Sequence, residues 1–329
     1  MSKYMYYNRV LSRKLLIKSL ELSRFLLSEK TREALSRDEV NAIQAEQDIS
    51  LPLALKLGEE LGIPVVADLH NISAEELVGA GILARNDGVY VELQRRVRES
   101  LSNAERVCVV SEAMRNYVRS HYDVPANRIL LVPPGGRLRH EIVSRKRQIN
   151  KVVFSGTVAY REHVDLFVES LPYIREEMPE AEFYATRKGE DLSKITRLCR
   201  RLNVLMHWVW FPDEEDLFSF LCKCAVGVLP SSSDVARVMG TPIKLFDYMS
   251  VGLPVVANHV GGWSELIEQE NIGILANDDP KDLARAILRL LKDEDLRTKL
   301  SHNALEAVRE KYNWDRSVEP LAKFYENLS

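Results

Sequence analysis

Residues 239–256 read MGTPIKLFDYMSVGLPVV. Thr241 is a good helix N-cap. Pro242 suits a first helical position, where its preset φ helps and its missing N–H is not needed. Ile243, Phe246 and Met249–Val251 can face a sheet, and Pro254–Ala257 then reads as a strand. A helix start so well defined presents free N–H groups and the positive end of the helix dipole to an anion. Gly240 lets a ligand approach the backbone closely. Lys244 and Asp247 lie three apart and share one face. A phosphate at the helix start and a hydroxylated sugar near Asp247 suit these groups. On spacing alone, a capped helix with one surface ion pair fits as well.

Outward from this stretch the chain alternates strands and helices. Ile63–Leu69 (IPVVADL) is an unbroken apolar strand closed by His70-Asn71, and Arg106–Val110 (RVCVV) is another, capped by Ser111. Ile129–Val132 ends in Pro133-Pro134-Gly135-Gly136. Residues 137–150 are basic and polar without an apolar period, as expected of a linker. Alternation restarts with strands Lys151–Phe154, Glu182–Ala185, Met206–Phe211 and Ala225–Leu229, separated by helices Val164–Glu177, Leu192–Leu202 and Glu214–Lys223. Continuous Val- and Ile-rich strands between helices predict parallel sheets covered on both faces. Two α/β halves follow: an N-terminal Rossmann-like domain over 1–145, a C-terminal one over 146–312, and a terminal helix over 313–329. Ligands of such sheets bind at the carboxyl ends of strands, so the expected site is the cleft the two domains face.

The 329 residues carry a net charge of −3, which argues against nucleic acid as the main partner because phosphate neutralisation needs a basic field. Cys108, Cys199, Cys222 and Cys224 form no metal-ligand spacing and read as buried thiols of a cytoplasmic protein. There is no apolar run long enough to span a membrane. Residues 1–37 are strongly basic and interleave Leu15, Leu16, Leu20, Phe25, Leu26 and Leu27 with the charges. That pattern fits a helix on an anionic membrane surface, peripheral on the inner face, or a surface helix packed on its own domain. Trp208 and Trp210 read as packing residues and His163 and His207 as structural.

The 239–256 segment resembles the G-x-P-x-K-x-x-E-Y-M-A-x-G-x-P-V-V block of family 4 retaining glycosyltransferases. Val260-Gly261-Gly262-Trp263-Ser264-Glu265-Leu266-Ile267 resembles the family's V-G-G-x-x-E-L-I. Val228–Ser231 and Phe154–Thr157 resemble its strand-to-turn junctions. Ala67–Asn71, Val109–Glu112 and Val132–Gly136 match first-domain turns in the family's order. The resemblance implies the GT-B fold and a sugar moved with retention from an NDP-sugar to a glycan, lipid or small-molecule acceptor, with no metal. It implies His70 and Asp247 as catalytic residues, Asp247 also bonding the donor ribose. Donor-binding residues would be Gly156, Thr157, Arg161, Arg187, Lys188, Ser231, Gly240, Thr241, Pro242, Ile243, Lys244, Asp247, Gly261 and Gly262. Backbone amides of Gly240–Ile243 would hold the diphosphate. The base would lie near Thr186–Glu190 and Ser231–Ser233.

Three departures from the pattern stand out. Met239 replaces the first acid of the family's E-x7-E, and Asp247 is the shorter form of the second. Glu162 stands where the family has a clamp lysine; Arg161, or Arg187 and Lys188 in the Thr186–Glu190 turn, would have to substitute, with Glu162 turned outward and Arg161 inward as one arrangement. The chain starts late, so the first domain is expected to lack its first strands. These departures motivate the alternative of a catalytically degenerate homologue that binds nucleotide or a partner subunit. A nicotinamide dehydrogenase is disfavoured because neither Gly135-Gly136 nor Gly261-Gly262 supplies GxGxxG after a strand.

Overall fold

The computed structural model describes residues 40–138 and 147–328. The basic stretch 1–37 and residues 139–146 of the expected linker lie outside the described residues. The chain divides into two compact units, Met1–Val132 with Pro320–Ser329, and Pro133–Glu319.

The first unit holds β1 (Ile43–Glu46), α1 (Gln47–Leu61), β2 (Val65–Leu69), α2 (Ser73–Gly79), α3 (Gly88–Asn103), β3 (Arg106–Val109), α4 (Glu112–Tyr122) and β4 (Ile129–Leu131). The four strands run parallel in the order β1-β2-β3-β4. Ser111 caps α4 as the sequence predicts, its hydroxyl accepting from Met114 N at 2.9 Å. Asp48 on α1 caps α2 from a distance, accepting from Ser73 N at 3.0 Å.

Beneath the helices sits Glu75, 2% exposed. It accepts hydrogen bonds from Arg85 Nη2 at 2.8 Å, Tyr90 Oη at 2.6 Å and Tyr117 Oη at 2.9 Å. A buried carboxylate is tolerable only with such partners. Burial alone would raise its pKa, but the bonds from Tyr90, Arg85 and Tyr117 outweigh burial and hold it below the ordinary value.

The second unit holds β5 (Lys151–Phe154), α5 (Val164–Glu177), β6 (Glu182–Thr186), α6 (Leu192–Arg201), β7 (Met206–Val209), α7 (Glu214–Leu221), β8 (Val226–Leu229), α8 (Val235–Met239), α9 (Ile243–Ser250), β9 (Val255–Asn258), α10 (Gly261–Gln269), β10 (Gly273–Ala276), α11 (Pro280–Lys292) and α12 (Glu294–Glu310). A last helix, α13 (Trp314–Glu326), begins here and ends in the first unit. The sheet is parallel with order β10-β9-β8-β5-β6-β7. Alternate residues of β5 enter opposite cores. Val152 and Phe154 pack with Phe167, Leu171 and Ile287. Val153 packs with Tyr248, Met249 and Trp263. Both faces of the sheet are therefore covered, which is why the central strands β8 and β9 are buried at every position rather than alternately. The two units are the two Rossmann-like parallel-sheet domains of a GT-B-like fold.

Two details differ from the sequence expectation. The residue preceding α9 is Pro242, whose carbonyl accepts from Leu245 N at 3.0 Å, so Thr241 lies one residue before the cap. Trp210 does not pack in the core: it is 69% exposed just beyond the edge strand β7.

Because the folded state holds Glu75 ionised, its contribution is full above the ordinary glutamate pKa of about 4.3 and fades as pH falls below it. Replacing Glu75 with Gln should cost about 1–3 kcal/mol at neutral pH. Urea titrations from pH 7 to pH 3 should show that cost shrinking toward the acid end; a cost independent of pH would refute the assignment.

Candidate functional site

In the second sheet, successive strands leave in one direction from β5 through β6 to β7, and then restart on its other side with β8. Two adjacent strands whose chains depart oppositely leave a crevice beyond their carboxyl ends. The residues at this crevice are Gly156 after β5 and Ser231 after β8, both expected donor residues.

The turn after β5 is held from two sides. Ser155 N donates to the Tyr248 hydroxyl at 2.8 Å, and Gly156 N donates to Thr186 Oγ1 at 2.8 Å. The Thr186 hydroxyl returns a bond to the Gly156 carbonyl. Tyr248 is fully buried, and burial pushes its phenol well above the ordinary value, so it stays neutral. Gly156 has φ +144°, and a Cβ there would lie 2.6 Å from Lys244 Nζ. Glycine is needed both for the backbone and for room.

Lys244 lies in the first turn of α9, with its ammonium 4.6 Å from the centre of the Phe154 ring. Its side chain is 11% exposed and pairs with Glu162 Oε2. Burial lowers its pKa, and Glu162 opposes that lowering without cancelling it. Glu162 is 6% exposed. Its other oxygen faces Arg237 Nη2 at 3.6 Å and Arg161 Nε at 3.9 Å. Burial alone would raise the Glu162 pKa, but Lys244 and Arg237 outweigh it and hold the carboxyl below its usual range. The expected orientation is thus reversed: Glu162 turns inward and the Arg161 side chain is 40% exposed. The reason is that a buried ammonium demands an anion, and Lys244 is that ammonium. His163 takes φ +46°, the left-handed conformation that favours glycine.

Arg237 on α8 was not singled out from the sequence. Its only signal there is Asp234, which caps α8 by accepting from Arg237 N at 3.2 Å. Arg237 Nε donates to Ser231 Oγ at 3.0 Å. The Ser231 backbone is doubly bonded to the Asn258 side chain, at 2.9 and 2.8 Å. Gly240 follows α8, and Thr241 and Asp247 are half-buried beside and within α9. Ile243 is 60% exposed at the start of α9. Gly261 opens α10 with φ +64°, where a Cβ would lie 2.6 Å from Val238 O, and Gly262 has open space beside it. Arg187 and Lys188 point to solvent while their backbones tie the loops together, Arg187 N to Val209 O at 2.7 Å and Lys188 O to Val158 N at 2.6 Å. Thr157 is half-buried beside that second bond. The structure therefore gathers Gly156, Arg161, Ser231 and Lys244 around Glu162 and Arg237, and leaves Arg187 and Lys188 on the rim.

In the first unit, His70 follows β2 and is half-exposed. Its Nε2 lies 3.4 Å from Asp68 Oδ1. Asp68 Oδ2 accepts from Gln44 Nε2 at 2.7 Å, and Gln44 Oε1 accepts from Tyr325 Oη at 3.0 Å. The bond to Asp68 raises the His70 pKa against the opposing effect of burial. Among the described residues, no group of three or more His, Cys, Asp or Glu is arranged to hold a metal ion, and no helix is long and apolar enough to cross a membrane.

Residues 5–138 match the family described as Glycosyltransferase Family 4, and residues 149–293 match Glycosyl transferases group 1. The chain is a GT-B glycosyltransferase related to these families. An uncharacterised glycosyltransferase of Methanocaldococcus jannaschii is 25% identical over 275 residues, 83% of this chain and 71% of the relative. A D-inositol 3-phosphate glycosyltransferase of Paenarthrobacter aurescens is 25% identical over 299 residues, 84% and 70% of the two chains. Among solved structures, Anabaena HepE in complex with UDP superposes with a TM-score of 0.74 at 16% identity, covering 92% of this chain and 82% of HepE. Sucrose-phosphate synthase from Thermosynechococcus elongatus superposes with a TM-score of 0.72 at 18% identity, covering 92% and 77%. The described part of this glycosyltransferase thus carries the fold of these solved structures.

Two measurements test the geometry. Tyr248→Phe leaves the Ser155 N–H buried without an acceptor and should cost about 1–3 kcal/mol, read as a lower urea midpoint at unchanged m. Asp68→Asn should bring the His70 pKa down toward about 6.5, read by NMR titration; an unmoved value would separate the two groups.

Proposed function

We propose that this glycosyltransferase takes a sugar from an NDP-sugar and passes it, with retention, to a glycan, lipid or small-molecule acceptor. The observation that supports it most is the meeting of β5 and α9 at the switch point. There a glycine turn, the first turn of a helix and three cations converge on one place. Such a place binds a diphosphate. Backbone amides of Gly240–Ile243, with Lys244 and the Gly156–Thr157 turn, would hold it. Arg161 would add charge, with Arg187 and Lys188 at the rim. Ser231, Gly261 and Gly262 would line the donor's path, and Asp247 would bond the ribose hydroxyls. Stabilising the leaving diphosphate as charge develops on it supplies much of the rate in such a site. His70, held by Asp68, is assigned to the reacting sugar on the family resemblance.

A second reading has one observation in its favour: an anion, Glu162, already sits among the phosphate cations. In that reading the chain binds nucleotide or a partner subunit without turnover. Hydrolysis or transfer of donor sugar with candidate acceptors separates the two.

The test is thermal unfolding with UDP, GDP, ADP and their sugar conjugates, for the native chain and Asp247→Ala. A nucleotide at about 100 times its dissociation constant should stabilise by about 2.7 kcal/mol. One nucleotide should raise the midpoint and Asp247→Ala should abolish the shift. No response to any of them would remove the donor site from the reading. The proposal also includes peripheral contact of residues 1–37 with an anionic membrane at its inner face. Flotation with anionic vesicles at low salt should retain the chain, and an unbound chain would end that part.

A further inference from the structure

Glu162 is the feature that the donor-site reading does not use. It is buried, ionised and central: Lys244, Arg237 and Arg161 all face it. If the site's purpose were to hold phosphate as tightly as possible, a buried carboxylate among its cations would be a defect. If Glu162 served only to solvate Lys244, the two arginines would have no reason to gather on its second oxygen. Three cations share this one carboxylate.

The chemistry of transfer gives that carboxylate a meaning. In an NDP-sugar both phosphates are esterified, and the diphosphate carries about two negative charges at neutral pH. Transfer breaks the bond from the anomeric carbon to the terminal phosphate oxygen, and the electron pair stays on that oxygen. The anomeric carbon forms its new bond to the acceptor oxygen, whose proton passes to solvent. The product's terminal phosphate is now a monoester with a second ionisation near pH 6, so the product carries roughly one charge more than the donor.

Resting on the donor-site reading, we propose that Glu162 disfavours the more highly charged product relative to the donor, so that it is a residue for product release. Like charges in a partly buried site repel through a low effective dielectric, so the extra charge of the product is felt there. Glu162 meets it with an anion. Arg237 and Lys244 are drawn back by the same carboxylate and do not close fully on the departing diphosphate. Gly156 and Phe154 confine the ammonium to that position.

The experiment compares the native chain with Glu162→Gln and Glu162→Asp. Dissociation constants are measured by calorimetry at pH 7.5 for UDP, GDP and ADP, and for their glucose conjugates. With Glu162→Gln the bound nucleoside diphosphate should tighten about tenfold and its sugar conjugate distinctly less, the size expected of one like charge removed nearby. Glu162→Asp keeps the charge and should keep the native ratio. Where transfer is measured, Glu162→Gln should lower kcat and deepen product inhibition. Should Glu162→Gln fail to fold because Lys244 loses its anion, the double variant Glu162→Gln/Lys244→Met removes one charge of each sign and leaves the sum as in the native chain. It should bind both ligands more weakly while returning their ratio to the native value. Equal tightening of both ligands, no change, or weakening by Glu162→Gln overturns the inference even though donor binding stands. If the native chain binds none of the six nucleotides, the donor-site reading fails and the inference falls with it.

Discussion

Lys244 is a charged amine on the inward side of a helix, packed over Phe154 and against a glycine. A buried ammonium without a counter-ion costs several kcal/mol. Much of the second unit's crevice is built around meeting that demand. Glu162 must turn in, so the chain after Gly156 must loop back with His163 in a left-handed conformation before α5 can start. Arg237 and Arg161 then collect on the oxygen that Lys244 does not use. The same strands would form without this pair, but the turn after β5 would have no reason to take its present path.

The cation that the pair holds is the lysine of the family-like block itself, and Glu162 keeps it in place across the crevice. Tyr248 supports the arrangement from behind: its hydroxyl accepts from Ser155 N and pins the start of the turn. The first unit shows the same principle at smaller scale. His70 is a half-exposed group at a strand end, and its orientation is set by a relay from Tyr325 through Gln44 to Asp68.

The central strands β2, β3, β5, β8 and β9 were legible because each is a short Val-rich run set between helical stretches, the pattern of a strand covered on both faces. Lys151–Phe154 and Val164–Glu177 begin and end where the residues place them, since Asn150 precedes one and a single apolar period spans the other. Trp210 was misread because an aromatic next to a strand usually packs inward; here the strand is an edge and ends one residue earlier, at Val209. The short helix α8 was not read because five residues carry too little periodicity to register, and with it Arg237 was missed.

The order of apolar runs and turn glycines was enough by itself to determine two parallel-sheet units and the helices between their strands. Those properties follow from local periodicity and from short-range steric rules, which act between neighbours in the chain. Which charges face one another is not local. Glu162 and Lys244 are 82 residues apart, and Gln44 and Tyr325 are 281 apart. Their pairing depends on where a whole sheet delivers its strand ends, so only the tertiary structure decided that Glu162 points inward.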